Sequence, residues 1–130
     1  MDTSAPGMPS ADRLTVLYRP VGEQELALIH ARGDRAFPAR LAWQPIFYPV
    51  TNEEYARQIA RQWNARNGKR GYVTRFAVRS AYLSQFDIHT VGSSIHQEYW
   101  IPAERLEEFN AQIVGPIEVI AEYQASILAL

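Results

Sequence analysis

The stretch YVTRFAVR, residues 72–79, decides the fold class, because its side chains alternate in character. Phe76 and Val78 fall on one face of an extended chain, whereas Arg75 and Arg79 fall on the other. This period of two is typical of a half-buried β-strand. The sequence therefore predicts a strand here, with one face on the hydrophobic core.

An amphipathic helix is predicted before this strand. Residues 51–54, TNEE, form a capping-box pattern, in which the first and last side chains satisfy backbone N–H groups at a helix start. Tyr55, Ile59 and Trp63 follow at helical spacing. We expect these three side chains, together with Ala56 and Ala60, to form an apolar stripe that packs on the core.

The remaining segments complete an α+β pattern. Further helices are predicted at residues 22–32 and 102–113, and Gly115-Pro116 is expected to break the pattern before the last strand. Because proline cannot donate to a β-ladder, Pro49 is expected at a strand end or edge. About six strands and three helices, with strands crowded into the second half, predict an α+β domain rather than a regular alternation of strand and helix. The other five predicted strands are residues 14–18, 46–50, 87–91, 95–101 and 117–123.

The length of 130 residues and the hydrophobic fraction of 47% predict one globular domain with a single core. We expect residues 1–12 to be a disordered lead-in, residues 13–124 to be the domain and residues 125–130 to be a tail. The sequence contains no run of about 18 apolar residues, so we do not expect a membrane-spanning helix. The first ten residues lack the pattern of a secretory signal, and the chain has no cysteine. We therefore expect a cytoplasmic protein without disulfides, thiolate zinc or a membrane partner.

The net charge of −1 conceals two blocks of opposite sign. Residues 53–79 carry seven basic side chains against Glu53 and Glu54, and residues 80–130 carry seven acidic side chains against Arg105. The basic block can attract a phosphate-bearing ligand, nucleic acid included. A solvated helix face has the same composition, so charge alone leaves both interpretations open. The basic residues of the block are Arg57, Arg61, Arg66, Lys69, Arg70, Arg75 and Arg79.

Glu98 is the most informative acidic residue, because it lies in a predicted strand of aromatic and β-branched residues. His96, Glu98 and Trp100 share one face of that strand. A carboxylate beside an indole in a partly dry cleft can accept a ligand hydroxyl or stabilise a developing positive charge. His96 can act with it in acid–base catalysis or orient a ligand. A face exposed to water would give the same pattern.

Arg19 and a group of aromatic residues are the candidate ligand-binding side chains. Arg19 ends the first predicted strand, where a guanidinium can bind phosphate or ribose oxygens. Trp43, Phe47 and Tyr48 can stack on a planar ring, although core packing is the more common role of such a group. The three histidines have no spacing typical of metal ligands, and the sequence has no phosphate-loop, dinucleotide or serine-triad motif.

Three segments, in order, resemble the motifs of the ADP-ribosyltransferase-like fold. LYRP at residues 17–20 is similar to the family's first strand, which ends in an arginine that contacts the dinucleotide. FYPVT at residues 47–51, with EYA at residues 54–56, is similar to its aromatic strand and following helix. HQEYWIP at residues 96–102 resembles the strand that carries its catalytic glutamate. The resemblance implies split antiparallel β-sheets.

The stretch from about residue 14 to residue 123 also resembles a group of small bacterial proteins whose family name refers to ADP-ribosylation and crystallin. That name suits much larger, helical, metal-dependent ADP-ribosyl hydrolases, whose aspartate-rich metal motifs are missing from this sequence. The transferase-like resemblance is therefore preferred.

The resemblance implies that NAD is the substrate and assigns roles to the matching residues. Glu98 would hydrogen-bond the nicotinamide ribose and stabilise the oxocarbenium-like state as nicotinamide departs. Arg19 would hold the ribose or phosphate end of NAD, and Tyr48, or less directly Phe47, would stack on the nicotinamide. The residues expected to bind NAD are Arg19, Phe47, Tyr48, Thr51, which stands for the Ser/Thr of the middle motif, and Trp100.

His96 stands where transferases to Arg or Asn carry Glu or Gln, so the acceptor of ADP-ribose stays open between protein, nucleic acid, small molecule and water. The sequence thus predicts an NAD-dependent ADP-ribosyltransferase-like protein that uses no metal, with Glu98 and His96 as the catalytic candidates. The alternative is a catalytically inactive module that binds a nucleotide or a protein partner on the same fold. Modification of nucleic acid is a third hypothesis, based on the basic block.

Overall fold

A three-stranded antiparallel sheet runs through the centre of the computed structural model, which describes residues 13–66 and 68–124. Strand β3 (Arg70–Arg79) lies between β1 (Leu14–Gly22) and β7 (Ile113–Gln124). The predicted lead-in at residues 1–12 and the predicted tail at residues 125–130 lie outside the described residues.

The alternation along β3 is confirmed. Phe76 and Val78 are buried, whereas Arg75 and Arg79 are exposed. Val73, on the opposite face from Phe76, is also buried, because a helix covers that end of the sheet. The strand is therefore half-buried at its C-terminal end and buried on both faces near its start.

Both outer strands run further than the sequence predicts. Strand β1 continues through Arg19-Pro20 to Gly22. Gly115-Pro116, expected to break the pattern, lies inside β7, where the pairing register with β3 shifts between Arg75 and Ala77. Gly115 has a φ of 83°, a left-handed conformation that glycine adopts without strain. The glycine therefore forms a β-bulge instead of ending the strand.

Two short strand pairs extend the β-structure beyond β1. Strand β2 (Ile46–Phe47) pairs with β6 (Ile101–Pro102), and β4 (Ile88–Thr90) pairs with β5 (Gln97–Tyr99). Val50 forms single bridges to β1 and to β5. The predicted strand at 46–50 is therefore interrupted before Pro49, and the predicted strand at 95–101 is divided at Trp100.

The structure has four α-helices in its described part, against the three predicted. Helix α1 (Glu23–Ala31) follows β1 directly, and α3 (Ser80–Leu83) is one turn after β3. Helix α4 (Leu106–Ala111) follows a 3-10 turn (Ala103–Arg105) and ends before Ile113, which already belongs to β7. No helix within residues 13–66 and 68–124 combines the length and the hydropathy needed to cross a membrane.

Helix α2 (Glu53–Ile59) continues as a π-helix (Ala60–Asn64). Its start differs from the predicted capping box, because the side chain of Asn52, and not that of Thr51, accepts a hydrogen bond from the Tyr55 N–H at 2.8 Å. A π-helix is rare and is frequent at functional sites.

The apolar stripe predicted on α2 faces the core only in part. Ala56 and Ala60 are buried against Val50 and Val73, so the small side chains face the sheet. Trp63 is 63% exposed. Small residues allow the helix to approach the sheet closely, and this approach turns the larger row outward.

Gly71 of β3 makes this close approach possible. A Cβ atom at this position would lie 2.4 Å from the carbonyl oxygen of Ala60 and 2.7 Å from the Cβ of Asn64. Both neighbours belong to the π-helix, so relief of the overlap requires the helix to move away from the sheet.

We predict that Gly71→Ala lowers the free energy of unfolding by about 2 kcal/mol, the usual cost of overpacking. Urea denaturation measures the change. The control is Gly22→Ala, because Gly22 is directly opposite Gly71 in β1 and its added Cβ meets only an atom at 3.9 Å. A control variant that loses as much stability as Gly71→Ala would contradict the close-packing argument.

Candidate functional site

A cavity of about 370 Å³, here called the first cavity, opens where the β-structure divides at Val50. The end of β1, the segment after β2, strand β5 and the π-helix all contribute to its wall. Its lining residues are Arg19, Pro20, Tyr48, Val50, Ile59, Asn64, Val91, Glu98 and Trp100.

Glu98 is held rigidly at the wall of the first cavity. The residue is only 9% exposed, and its backbone pairs with Val50. One carboxylate oxygen accepts a hydrogen bond from the Tyr55 hydroxyl at 3.0 Å, and the other accepts one from Trp100 Nε1 at 2.8 Å. A buried carboxylate is costly unless it is hydrogen-bonded, and these two donors offset that cost. Each oxygen keeps a lone pair for a ligand.

Trp100 forms an aromatic wall with two neighbours. The ring of His89 stacks on it in parallel at 3.8 Å, and the ring of Tyr48 meets it edge-on at 6.2 Å. His89 was not singled out from the sequence, although it is directly opposite Glu98 in the β4–β5 pair. Its position depends on strand register, which no local pattern encodes.

Arg19 faces the same cavity, but its charge is already neutralised. Its Nε and Nη2 atoms donate to the carboxylate of Glu25 at 2.7 and 3.0 Å, and Nη1 donates to the Tyr48 carbonyl at 3.4 Å. Glu25 lies in the first turn of α1, which folds back over the end of β1. Glu25 is six residues after Arg19 in the sequence. Its closeness to Arg19 in space depends on the direction in which α1 leaves β1, which the sequence pattern does not predict.

Arg40 adds a second guanidinium near this pair. Burial, and then the charge of Arg19, lower the pKa of Arg40, whereas the charge of Glu25 raises it. Arg40 and Glu25 also line a separate cavity on the far side of the pair. The Glu25 carboxylate bonds to Arg19, whereas Arg40 donates from Nε to the Ile46 carbonyl at 3.2 Å.

Two of the predicted NAD-binding residues do not reach the first cavity. Phe47 is fully buried at 0% exposure, and its ring packs against Phe37 and Phe109, so the expectation that it stacks on a ligand is wrong. The Arg19 guanidinium lies over this ring at 4.7 Å, which makes Phe47 a support for Arg19. Thr51 donates from its hydroxyl to Gln97 at 3.4 Å and does not line the cavity.

His96 lies outside β5 and does not pair with Glu98. Its Nδ1 is 3.1 Å from the Val91 carbonyl, and its Nε2 is 3.0 Å from the side-chain oxygen assigned to Gln58. A carbonyl can only accept, so Nδ1 carries a proton. Nε2 then either accepts from the Gln58 amide group or donates as part of an imidazolium. His96 and Glu98 therefore do not form the expected acid–base pair. Tyr55 contacts both of them: its hydroxyl donates to Glu98, and its ring stacks on His96 at 4.4 Å.

A second cavity, also of about 370 Å³, surrounds His96. Ile59 and Val91 line both cavities, so the two are adjacent. The lining residues of the second cavity are Tyr55, Gln58, Ile59, Gln62, Trp63, Val91 and His96. The row of α2 that the sequence assigned to the core is thus the wall of this cavity.

Tyr55 connects the two cavities. Its burial, followed by its hydrogen bond to Glu98 and the charge of that carboxylate, raises the pKa of Tyr55 to about 12. The phenol therefore stays protonated at neutral pH and remains a donor to Glu98. Within the described residues, no group of three or more His, Asp and Glu side chains gathers as metal ligands.

We predict a loss of stability in alkali that depends on Tyr55. Between pH 10 and pH 12 the unfolded chain releases the phenol proton while the folded protein retains it, so the free energy of unfolding falls as the pH rises. Below pH 10 this contribution is complete. Urea denaturation across this range should show a shallower fall for Tyr55→Phe, though not a flat one, because burial also raises the pKa of Tyr82 to about 12. A Tyr55→Phe slope equal to that of the wild type would contradict the assignment.

The first cavity thus combines a buried carboxylate, an aromatic wall and a guanidinium held by Glu25. These side chains, and not a relative of known activity, point toward a function. No family model matches the sequence, and neither a curated protein nor a solved structure is significantly similar to it.

Proposed function

We propose that the first cavity binds NAD and cleaves its nicotinamide–ribose bond, passing ADP-ribose to an acceptor or to water, on an ADP-ribosyltransferase-like fold. The observation that carries the proposal is that Arg19 and Glu98 line one cavity. These residues belong to two motifs that the sequence resemblance connects only by their order along the chain.

The division of the β-structure supports the fold that the resemblance implies. Arg19 comes from the three-stranded sheet and Glu98 from the β4–β5 pair, with Val50 between them. The resemblance implies split antiparallel sheets, and the first cavity lies where the β-structure divides.

The Glu98 carboxylate supplies the electrostatic part of the reaction. The C–N bond breaks with its electron pair passing to the pyridine nitrogen, so nicotinamide leaves as a neutral molecule. Positive charge then develops on the ribose ring, and a buried anion beside it stabilises that charge. The nucleophile that attacks the ribose carbon, water or an acceptor group, loses a proton as the new bond forms.

Tyr55 and Trp100 preorganise this carboxylate, because their donors fix both oxygens before a substrate binds. Tyr48, which is exposed beside Trp100, offers a ring for the planar nicotinamide. Each carboxylate oxygen can still accept a bond from a ribose hydroxyl.

We predict that Glu98→Gln lowers the rate of nicotinamide release from NAD by at least about 100-fold, the typical loss when a preorganised electrostatic group is removed. Chromatography of released nicotinamide measures the rate. Glutamine keeps an acceptor for one of the two donors, so the fold should persist.

The matched control is Glu118→Gln, because Glu118 is an exposed carboxylate that pairs with Arg75 away from the cavity. Its rate should equal that of the wild type. Absence of nicotinamide release by the wild-type protein, or equal release by Glu98→Gln, would refute the enzymatic proposal.

An inactive binding module is the second candidate, and the Arg19–Glu25 pair favours it. A guanidinium whose Nε and Nη2 donate to a carboxylate and whose Nη1 donates to a carbonyl has little capacity left for a phosphate. The cavity then suits an uncharged nucleoside better than the pyrophosphate of NAD. NAD binding without turnover would support this candidate. Absence of nucleotide binding together with a specific protein partner would support its protein-binding form.

We predict that Glu25→Gln raises the affinity for NAD by about fivefold, because a neutral acceptor holds the Arg19 guanidinium about 1 kcal/mol less strongly than a carboxylate does. Calorimetry with nicotinamide riboside, which lacks phosphates, is the matched measurement and should show no gain. Unchanged NAD affinity, or an equal gain for both ligands, would exclude Arg19 as a phosphate-binding residue. Thermal denaturation provides the folding control: a midpoint close to that of the wild type is expected, because Arg19 keeps its contacts with Tyr48 and Phe47.

A further inference from the structure

The second cavity has the lining of a site for a planar, hydrogen-bonding ring. Trp63 and Tyr55 supply aromatic surface, and 63% of Trp63 is exposed. Gln58 and Gln62 supply amide groups, each of which both donates and accepts. His96 is fixed by the Val91 carbonyl, so it adds a further polar group of defined orientation.

None of the seven lining residues of this cavity is acidic, and a cation lies against its tryptophan. The Arg66 guanidinium lies 4.7 Å above the Trp63 ring. Lys69 lines a third cavity together with Trp63, and Glu23 and Glu25 also line that third cavity. The Arg61 guanidinium lies elsewhere, over the Tyr123 ring at 5.6 Å.

Arg66 and Lys69 differ from the basic residues of the same block that have a carboxylate partner. Arg57 pairs with Glu53, and Arg70 pairs with Glu122. Within residues 13–66 and 68–124, no carboxylate lies within salt-bridge distance of the Arg66 and Lys69 side chains. Their charges are therefore available to an anionic ligand.

We propose that the second cavity binds an unpaired base of single-stranded nucleic acid. The base stacks on Trp63, and amide groups of Gln58 and Gln62 contact its edge. Arg66 and Lys69 bind the flanking phosphates.

The combination of ring and cations selects this occupant over other polyanions. An acidic peptide satisfies the cations but has no use for the aromatic and amide lining. A duplex satisfies the cations but keeps its bases stacked inside the helix and away from Trp63. An unstacked base next to phosphates uses both features.

The adjacency of the two cavities gives this site a consequence for the proposed enzyme. Ile59 and Val91 separate the base from the cavity of Glu98, so the bound base is next to the reacting ribose. A ring nitrogen of the base is then the acceptor of ADP-ribose, a step that rests on the proposed function: the nitrogen bonds to the ribose carbon as the bond to nicotinamide breaks, neutral nicotinamide leaves, and the proton of the ring N–H passes to solvent. Binding of the base itself does not require NAD.

The test is fluorescence anisotropy of a labelled oligothymidylate of about ten nucleotides, within the usual range of single-stranded sites, measured without NAD. We expect Trp63→Ala to weaken binding by at least about fivefold, the loss of one stacking contact. Trp43→Ala is the matched control, because Trp43 is the more exposed tryptophan at 76% and lines none of the three cavities. Its affinity should equal that of the wild type.

Salt dependence tests the cations separately. Two phosphate contacts to a single strand give a slope of about −1.4 for log affinity against log salt concentration, and each substitution to Gln at position 66 or 69 reduces its magnitude by about 0.7. Arg35→Gln, an exposed arginine outside the block, should leave the slope unchanged.

Four results would overturn the proposal: no binding at low salt, equal affinity for a duplex, equal affinity for polyglutamate of the same length, or equal losses in Trp63→Ala and Trp43→Ala. Because NAD is absent from the assay, failure here leaves NAD cleavage standing. Failure of NAD cleavage likewise leaves a positive binding result standing.

Discussion

The backbone pairing of Val50 on both of its sides holds the candidate site together. Val50 exchanges hydrogen bonds with Tyr18 at 2.8 and 2.9 Å, and its neighbours Pro49 and Thr51 bond to β5. This single extended segment joins the three-stranded sheet to the β4–β5 pair. Arg19 follows Tyr18, which pairs with Val50, and Glu98 pairs with Val50 directly. The bridge therefore brings both side chains to one cavity. Loss of the bridge would separate the two halves of the site.

Tyr55 extends the effect of this bridge from one cavity to the next. Its hydroxyl fixes Glu98, while its ring stacks on His96 and forms part of the second cavity. The position of Tyr55 depends in turn on the close packing of α2 and the π-helix against Gly71. A substitution at Gly71 that moves this helix away from the sheet would therefore disturb both cavities, although Gly71 lines neither of them.

Much of the fold could be predicted because its signals are local. The alternation in β3 and the order of helices and strands follow from side-chain periodicity. The errors fall where non-local contacts override a local signal: β1 continues through Pro20 because β3 pairs with it, and Gly115 forms a bulge because β3 continues beside it. Trp63 is exposed because Ala56 and Ala60 pack on the sheet instead.

The amino-acid sequence was enough to predict an α+β domain and to identify Arg19, Tyr48, Glu98 and Trp100 as side chains suited to a ligand site. The three-dimensional arrangement was needed to show that these four line one cavity, that Phe47 belongs to the core and that His96 belongs to a second cavity. Tertiary structure also decided that Glu25 neutralises Arg19. The physical reason is that side-chain type and periodicity are properties of a short segment. Charge pairing and cavity walls instead depend on which segments meet, and here strand register and the direction of α1 determine those meetings.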